Sequence, residues 1–398
     1  MHLVWDDLKR EPLYRKVSLA TIGASTKYTE SSPRVILAGG GTGGHLFPAL
    51  AIATEFHRRH PNAELLFVGA QDKIEMEKVP KEGYPIEGLW ISGFHRQLTM
   101  RNLLFPIKLA SSLVKSWKIV RRFRPDVVVG TGGFASGPVL QIATMRGIPT
   151  LIQEQNSYPG VTNRLLAKRV DVICAAYDNV KRYFPPHKIV FAGNPVRHRI
   201  RREEVSRETA AAHFGLDPGR PVVFLFGGSL GAKSMNEAVR ANADVLRQHP
   251  EVQLLWQAGK LYVDEFGNCA TALLPNVRIT AFIDRMDLAY RVADVVIARG
   301  GAGTISELSH IGKPAILIPS PNVAEDHQTE NVRELVAKSA AILLPDREAE
   351  EMIIRKALEV LNDEALQRQL STNIRRLNRP DAVKVIVDEV EKLAGLRS

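Results

Sequence analysis

Cysteine is scarce: Cys174 and Cys269 are the only two in 398 residues, with no C-x-x-C pair and no His/Cys cluster. That excludes a disulfide framework and a structural zinc centre, and it fits a reducing compartment. No uninterrupted apolar run approaches the ~18–20 residues that a membrane span requires. The first 33 residues lack the apolar core and cleavage site of a secretion signal, and they read as a poorly ordered extension, residues 1–33. Asp-x-Asp occurs nowhere, so the common carboxylate motif for a metal-held sugar nucleotide is missing and metal-independent chemistry is expected. Acidic residues are also absent between Gly88 and Pro125, a stretch with eight Lys or Arg. The formal charge is +10 and the pI near 9.6, which implies polyanionic company: nucleic acid, an anionic membrane surface or phosphorylated substrates. With 45% hydrophobic and 24% charged residues, the chain is globular rather than disordered, and long enough for two domains.

What is present is a pattern stated twice. "RVILAGGGTGG" at 34–44 is echoed by "PVVFLFGGSLGA" at 221–232. "PDVVVGTGGFASGPVLQIATMRGIPTLI" at 125–152 pairs with "ADVVIARGGAGTISELSHIGKPAILI" at 293–318. Each begins with an Asp and a β-branched run, passes a double glycine, enters a helix and returns through Gly-x-Pro to another apolar strand. Short apolar strands alternating with helices predict parallel sheets with right-handed crossovers. Two such series predict an α/β protein of two Rossmann-like domains facing across a cleft. The expected division is 34–196 and 197–379, with the link near "FAGNPVRHRIRREE" and the closing helix 380–398 packed back on the first domain.

The glycine turns fall at strand carboxyl ends, where helix N-termini offer unpaired N–H groups and a positive dipole end to a ligand. Gly39, Gly41 and Gly44 fit G-x-G-x-x-G, but the second strand, "ELLFVGA", ends in Gly69, Ala70 and Gln71 instead of the acidic residue that a dinucleotide ribose requires. A P-loop needs Gly-Lys-Ser/Thr, and here Gly44 is followed by His45 and Leu46, so that reading fails. His45 stands at the loop mouth either as a catalytic group or as a helix-start residue bonded to the backbone. Ser229, inside "FGGSLGAKSMNE", presents a hydroxyl to a phosphate, and Lys233 reads as solvated. Glu307, one turn into the helix after "RGGAG", either caps that helix or accepts hydrogen bonds from a ribose diol.

"GGGTGGHLFPALAIA", "GTGGFASGPV", "EQNSYPGVTNR", "GNPVR", "FGGSLGA", "RGGAGTISEL" and "EDHQTEN" occur in the order found in the MurG family, which the chain resembles over about residues 34–390. The resemblance implies a GT-B glycosyltransferase that moves N-acetylglucosamine from its UDP derivative to lipid I, making lipid II of peptidoglycan. It further implies a donor site in the C-terminal domain and a lipid acceptor site in the N-terminal one. Carried over by motif, donor contacts fall on Thr42, Gly43, Gly44, Asn156, Arg197 and Ser229. Ile283 meets the uracil through its backbone; Ala302, Gly303, Thr304, Ile305, Ser306 and Glu307 hold diphosphate and ribose; Gln328 reaches the sugar hydroxyls. No cofactor is implied. The family commonly reads H-E-Q-N where this chain has Gln153-Glu154-Gln155-Asn156, so any proton-transfer role of that histidine falls here on His45 or Glu154.

The implied reaction is attack by the muramyl 4-hydroxyl on the anomeric carbon, with inversion and departure of UDP. Fixed positive potential must meet the charge growing on the diphosphate, and a base must take the hydroxyl proton, a task suited to His45 with Glu154 as second choice. A lipid-linked acceptor also requires membrane contact at the cytoplasmic face of the inner membrane, with other cell-wall synthesis proteins among the implied partners. Within "MRNLLFPIKLASSLVKSWKIVRRFR", Arg101, Lys108, Lys115 and Arg122 recur every seven residues as a basic stripe. Leu103, Ile107, Ala110, Val114 and Trp117 follow a helical apolar period beside it, part of which is expected to be core. Nucleic acid is a weak rival for the charge, since no recognition module appears. The competing functions are another nucleotide-sugar enzyme of this fold (a glycolipid transferase or a UDP-sugar 2-epimerase) and an idle UDP-sugar-binding scaffold.

Overall fold

The computed structural model describes residues 32–93, 104–196, 205–228, 230–323 and 326–397. Arg197, Ser229, Arg101, Leu103 and the extension before residue 32 lie outside the described residues.

Two all-parallel sheets account for the repeated pattern. The first has seven strands: β1 (Arg34–Gly39), β2 (Glu64–Ala70), β3 (Ile86–Leu89), β4 (Val127–Gly132), β5 (Thr150–Glu154), β6 (Val172–Ala175) and β7 (Ile189–Phe191), in spatial order β3-β2-β1-β4-β5-β6-β7. The second has six: β8 (Val222–Phe226), β9 (Gln253–Gln257), β10 (Val277–Thr280), β11 (Val295–Arg299), β12 (Ala315–Ile318) and β13 (Ile342–Leu343), ordered β10-β9-β8-β11-β12-β13. The central strands are buried on both faces, which is why "VILAG", "VVVGTG", "VVFLF" and "VVIA" are continuous apolar or small-residue runs rather than alternating ones. Helices cover both faces of each sheet, giving each sheet two apolar layers.

The strand orders fix where ligands can go. In each sheet the chain winds outward from its first strand and then returns to that strand's other side, so order reverses between β1 and β4 and between β8 and β11. A crevice opens outside the carboxyl ends at such a switch point. The four glycine turns read from the sequence sit at those two places.

The helix Ala382–Leu393 packs on the helix Gly43–Arg59, with Ile386, Val387 and Val390 in one apolar layer with Leu46, Ile52 and Phe56 of the first sheet's cover. Arg59 Nη1 reaches Asp388 at 2.6 Å and Glu391 at 3.0 Å, fixing the contact.

The helix Phe105–Phe123 corrects the expected stripe. Its buried side chains are Ser112, Ser116, Ile119 and Val120, while Ile107, Val114 and Trp117 stand exposed. Two of the basic residues turn toward the sheet: Lys108 Nζ donates to Ser92 Oγ at 3.0 Å and Lys115 Nζ donates to the Gly88 carbonyl at 2.6 Å, while Arg122 stays exposed and pairs with Glu87. The reason is the neighbouring strand. β3 is an edge strand, and at its Gly88 carbonyl the long Lys115 side chain supplies a donor. Small serines let the helix approach closely, and the apolar period is displaced outward.

Candidate active site

The first glycine turn runs from β1 into the helix Gly43–Arg59, which carries no acidic residue in its first turn and no side-chain cap from Thr42. The N–H groups at Thr42, Gly43 and Gly44 therefore stand at a helix start with a positive dipole end. Beneath the turn lies the fully buried carboxylate of Glu75, which accepts from Gly41 N with both oxygens at 2.9 Å and from Ala70 N at 2.9 Å. No sequence signal pointed to Glu75, because its partners are set by the crossing of two loops.

The second turn, after β4, closes against the first. A register shift between β1 and β4 brings Gly39 beside Gly132. Gly133, at φ 81°, must be glycine, since a Cβ there would lie 2.2 Å from the Gly40 carbonyl oxygen. Gly132 likewise leaves room for the His45 ring, whose Nδ1 would be 2.8 Å from an added Cβ. His45 Nδ1 lies 3.0 Å from the Thr131 carbonyl and 3.1 Å from Gln155 Oε1, and the Thr131 hydroxyl donates to the His45 carbonyl at 2.8 Å. Burial, the largest cause, holds the imidazole below its ordinary pKa; the bonds to Gln155 and Thr131 oppose it, His327 adds to it and Glu75 opposes it. That direction favours the neutral ring. His327, from "EDHQTEN", weakly disfavours the charged form of the ring.

Glu154 is buried at the end of β5 and is engaged by the loop that follows. Its Oε1 accepts from Asn156 N (3.0 Å) and Nδ2 (3.2 Å), and its Oε2 accepts from Asn163 Nδ2 (2.7 Å) and Gly160 N (3.3 Å). Desolvation raises its pKa above the usual carboxylate value, and those donors pull it back. Asn156, so oriented, accepts from Asn331 Nδ2 at 3.1 Å, while Ser157 N donates to Asn331 Oδ1 at 2.8 Å. These bonds join the β5 loop to the helix His327–Val336 that follows β12.

In the second sheet, the helix Ala302–Ile311 begins at Gly301 with no acidic residue in its first turn, so Ala302, Gly303 and Thr304 present N–H groups at its start. Ile305 faces the core and Ser306 bonds back to the Ala302 carbonyl at 2.8 Å. Glu307 is buried, and its Oε2 accepts from the Tyr290 hydroxyl at 2.9 Å. Gly300 brings the next helix close, because a Cβ there would lie 2.5 Å from Val332 Cγ2. That closeness places Gln328 beside the turn, its Oε1 accepting from Ser320 N at 2.8 Å. Ile283 is buried in the sheet's apolar layer, next to a cavity of about 530 Å³ walled in part by Phe282, Leu255 and Thr280. The described residues hold no group of three or more His, Cys, Asp or Glu side chains that would take a metal.

Residues 35–174 match the glycosyltransferase family 28 N-terminal domain and residues 222–386 match the glycosyltransferase family 28 C-terminal domain. A Christiangramia forsetii protein is 52% identical over 360 residues, covering 90% of this chain and 97% of its own. One from Flavobacterium psychrophilum is 51% identical over 360 residues, with the same coverage. Both are named UDP-N-acetylglucosamine--N-acetylmuramyl-(pentapeptide) pyrophosphoryl-undecaprenol N-acetylglucosamine transferase. Among solved structures, Acinetobacter baumannii MurG superposes with a TM-score of 0.71 at 27% identity, covering 90% of this chain and 99% of that one. A UDP-N-acetylglucosamine 2-epimerase superposes with a TM-score of 0.62 at 15% identity, covering 92% of this chain and 97% of that one, and so shares the fold alone. The motifs, the two parallel-sheet GT-B domains and these relatives together show that the chain belongs to the MurG family of glycosyltransferase family 28.

Proposed function

We infer that the protein transfers N-acetylglucosamine from UDP-N-acetylglucosamine to the muramyl 4-hydroxyl of lipid I, giving lipid II with inversion at the anomeric carbon. The observation that carries this reading is His45, a neutral imidazole held by Thr131 and Gln155 at the mouth of the first glycine turn. It takes the acceptor proton through Nε2 as the hydroxyl attacks. The helix start at Ala302–Thr304 faces the departing diphosphate with N–H groups that need no reorganisation. Glu307, steadied by Tyr290, accepts from the ribose diol, and Gln328 contacts the sugar. Arg197 and Ser229 complete the donor contacts as the family motif implies.

The purified protein is expected to release UDP from UDP-N-acetylglucosamine only when a short-chain lipid I analogue is present. Conversion of the donor to its 2-epimer without acceptor would instead make it an epimerase. Donor binding with no turnover in either case would make it a scaffold.

The acceptor's lipid is met at a membrane surface by the exposed apolar face of the helix Phe105–Phe123. Ile107 is 58% exposed and Val114 57%, Trp117 lies under Arg121 at 5.1 Å, and Phe134 and Trp90 are exposed as well. Amphipathic helices with cations flanking apolar side chains lie in anionic bilayer interfaces. No described helix is long and apolar enough to cross a membrane. Flotation with vesicles containing anionic lipid is expected to carry the parent protein, and Ile107→Asp with Trp117→Asp to lower the bound fraction about tenfold with donor binding unchanged. Undiminished flotation of that variant would move the membrane face elsewhere.

A further inference from the structure

The side chain at position 153, where the family commonly has histidine, is fully buried and bonded away from any reacting group. Gln153 Nε2 donates to Asn194 Oδ1 at 3.0 Å, and Asn194 Nδ2 donates to the Gln155 carbonyl at 3.0 Å. Gln155 Nε2 in turn donates to the Thr131 carbonyl at 2.7 Å, to the Gln153 carbonyl at 3.0 Å and to Gln153 Oε1. Backbone carbonyls therefore fix both ends of this chain of amides. A carbonyl can only accept, so Asn194 cannot be turned around, nor can Gln153 that reads it, nor Gln155. Gln155 must then present Oε1 to His45, 3.1 Å from Nδ1, with the Thr131 carbonyl at 3.0 Å from the same nitrogen. Facing two acceptors, Nδ1 carries the proton, and the neutral ring keeps its lone pair on Nε2.

We propose that Asn194, Gln153 and Gln155 are positioning residues whose buried amide chain holds His45 as the Nδ1–H tautomer, the form able to act as a base through Nε2. The proposal rests on His45 being the base. It also explains how the histidine position of the motif is filled by glutamine. A neutral histidine at 153 offers one donor for Asn194 and one acceptor for Gln155, and glutamine supplies the same pair without titrating. The other groups acting on the ring are Glu75 below the turn and His327 from the helix His327–Val336, and neither belongs to the amide chain.

The first test needs no variant: nitrogen-15 spectra of the histidine side chains in the full chain, with His45 assigned by comparison with His45→Ala. Protonation on Nδ1 is expected, and a neutral ring protonated on Nε2 would overturn the proposal outright. In Gln155→Leu, kcat is expected to fall about tenfold, the effect of one hydrogen bond, with KM for UDP-N-acetylglucosamine unchanged. The acid limb of its pH profile is expected to move to lower pH, and a fraction of His45 to appear protonated on Nε2. Gln153→Leu should behave alike, and Gln153→His should restore parental kcat. If Gln155→Leu leaves tautomer, acid limb and kcat unchanged while His45→Ala is inactive, the amide chain is merely structural and the base assignment stands. If His45→Ala keeps full activity, the base assignment fails, and the spectra still decide the tautomer question by themselves.

Discussion

His45→Ala is expected to lower kcat by about a thousandfold while the affinity for UDP-N-acetylglucosamine changes by no more than about twofold, because a general base contributes to the proton transfer and not to donor binding. The pH dependence is tied to the same ring. Burial keeps the imidazole pKa below 6.5, and the base must be unprotonated to work. So kcat/KM of the parent rises with pH through a midpoint below 6.5 and is level at neutral pH, and the residual rate of the variant lacks that limb. The sign for stability is the same. A histidine that is harder to protonate in the fold than in the unfolded chain contributes stability above pH 6.5 that is lost as pH falls. Stopped assays from pH 5 to pH 8, with donor binding measured by calorimetry, check both statements. A midpoint above 6.5, or an acid limb surviving in His45→Ala, would assign the proton transfer to another group.

The parts of this arrangement that could be read from sequence are those set by local rules. Strands buried on both faces are written as unbroken β-branched runs, and turns that must bring two backbones together are written as paired glycines, so β1, β4, β8 and β11 and the turns after them were visible at once. His45 was visible because it follows such a turn. Glu75, Gln155 and Tyr290 were not singled out, since each owes its role to a partner far along the chain: Gly41, Thr131 and Glu307 respectively. The basic stripe misled for a related reason. A seven-residue period says that Lys108, Lys115 and Arg122 share a face, but not which way that face turns. In the fold Lys115 turns to the Gly88 carbonyl on the rim of β3 and Lys108 to Ser92, leaving Ile107, Val114 and Trp117 outside.

Glu154 offers the second large effect, and it separates organising a loop from moving a proton. Four N–H groups converge on its carboxylate, from Asn156 twice, Gly160 and Asn163, and all belong to the segment that carries Asn156 toward Asn331. In Glu154→Ala those donors lose their acceptor in a buried place, at about 1–3 kcal/mol each for the ones that water does not reach. The expected result is a lower melting temperature together with a loss of about a hundredfold in kcat/KM, expressed mostly in KM for the donor as Asn156 is misplaced. Glu154→Gln keeps one accepting oxygen but turns an amide toward two of the donors, so it should fall between the parent and Glu154→Ala in both stability and KM. Its acid limb should match the parent's, because His45 is untouched. A base at this position predicts the opposite pattern: glutamine, unable to take a proton, would be as inactive as alanine, with the melting temperature and KM near parental values and the acid limb gone. Melting curves and a pH profile of the glutamine variant therefore decide between the two carboxylate roles, and the convergence of four donors on Glu154 favours the organising one.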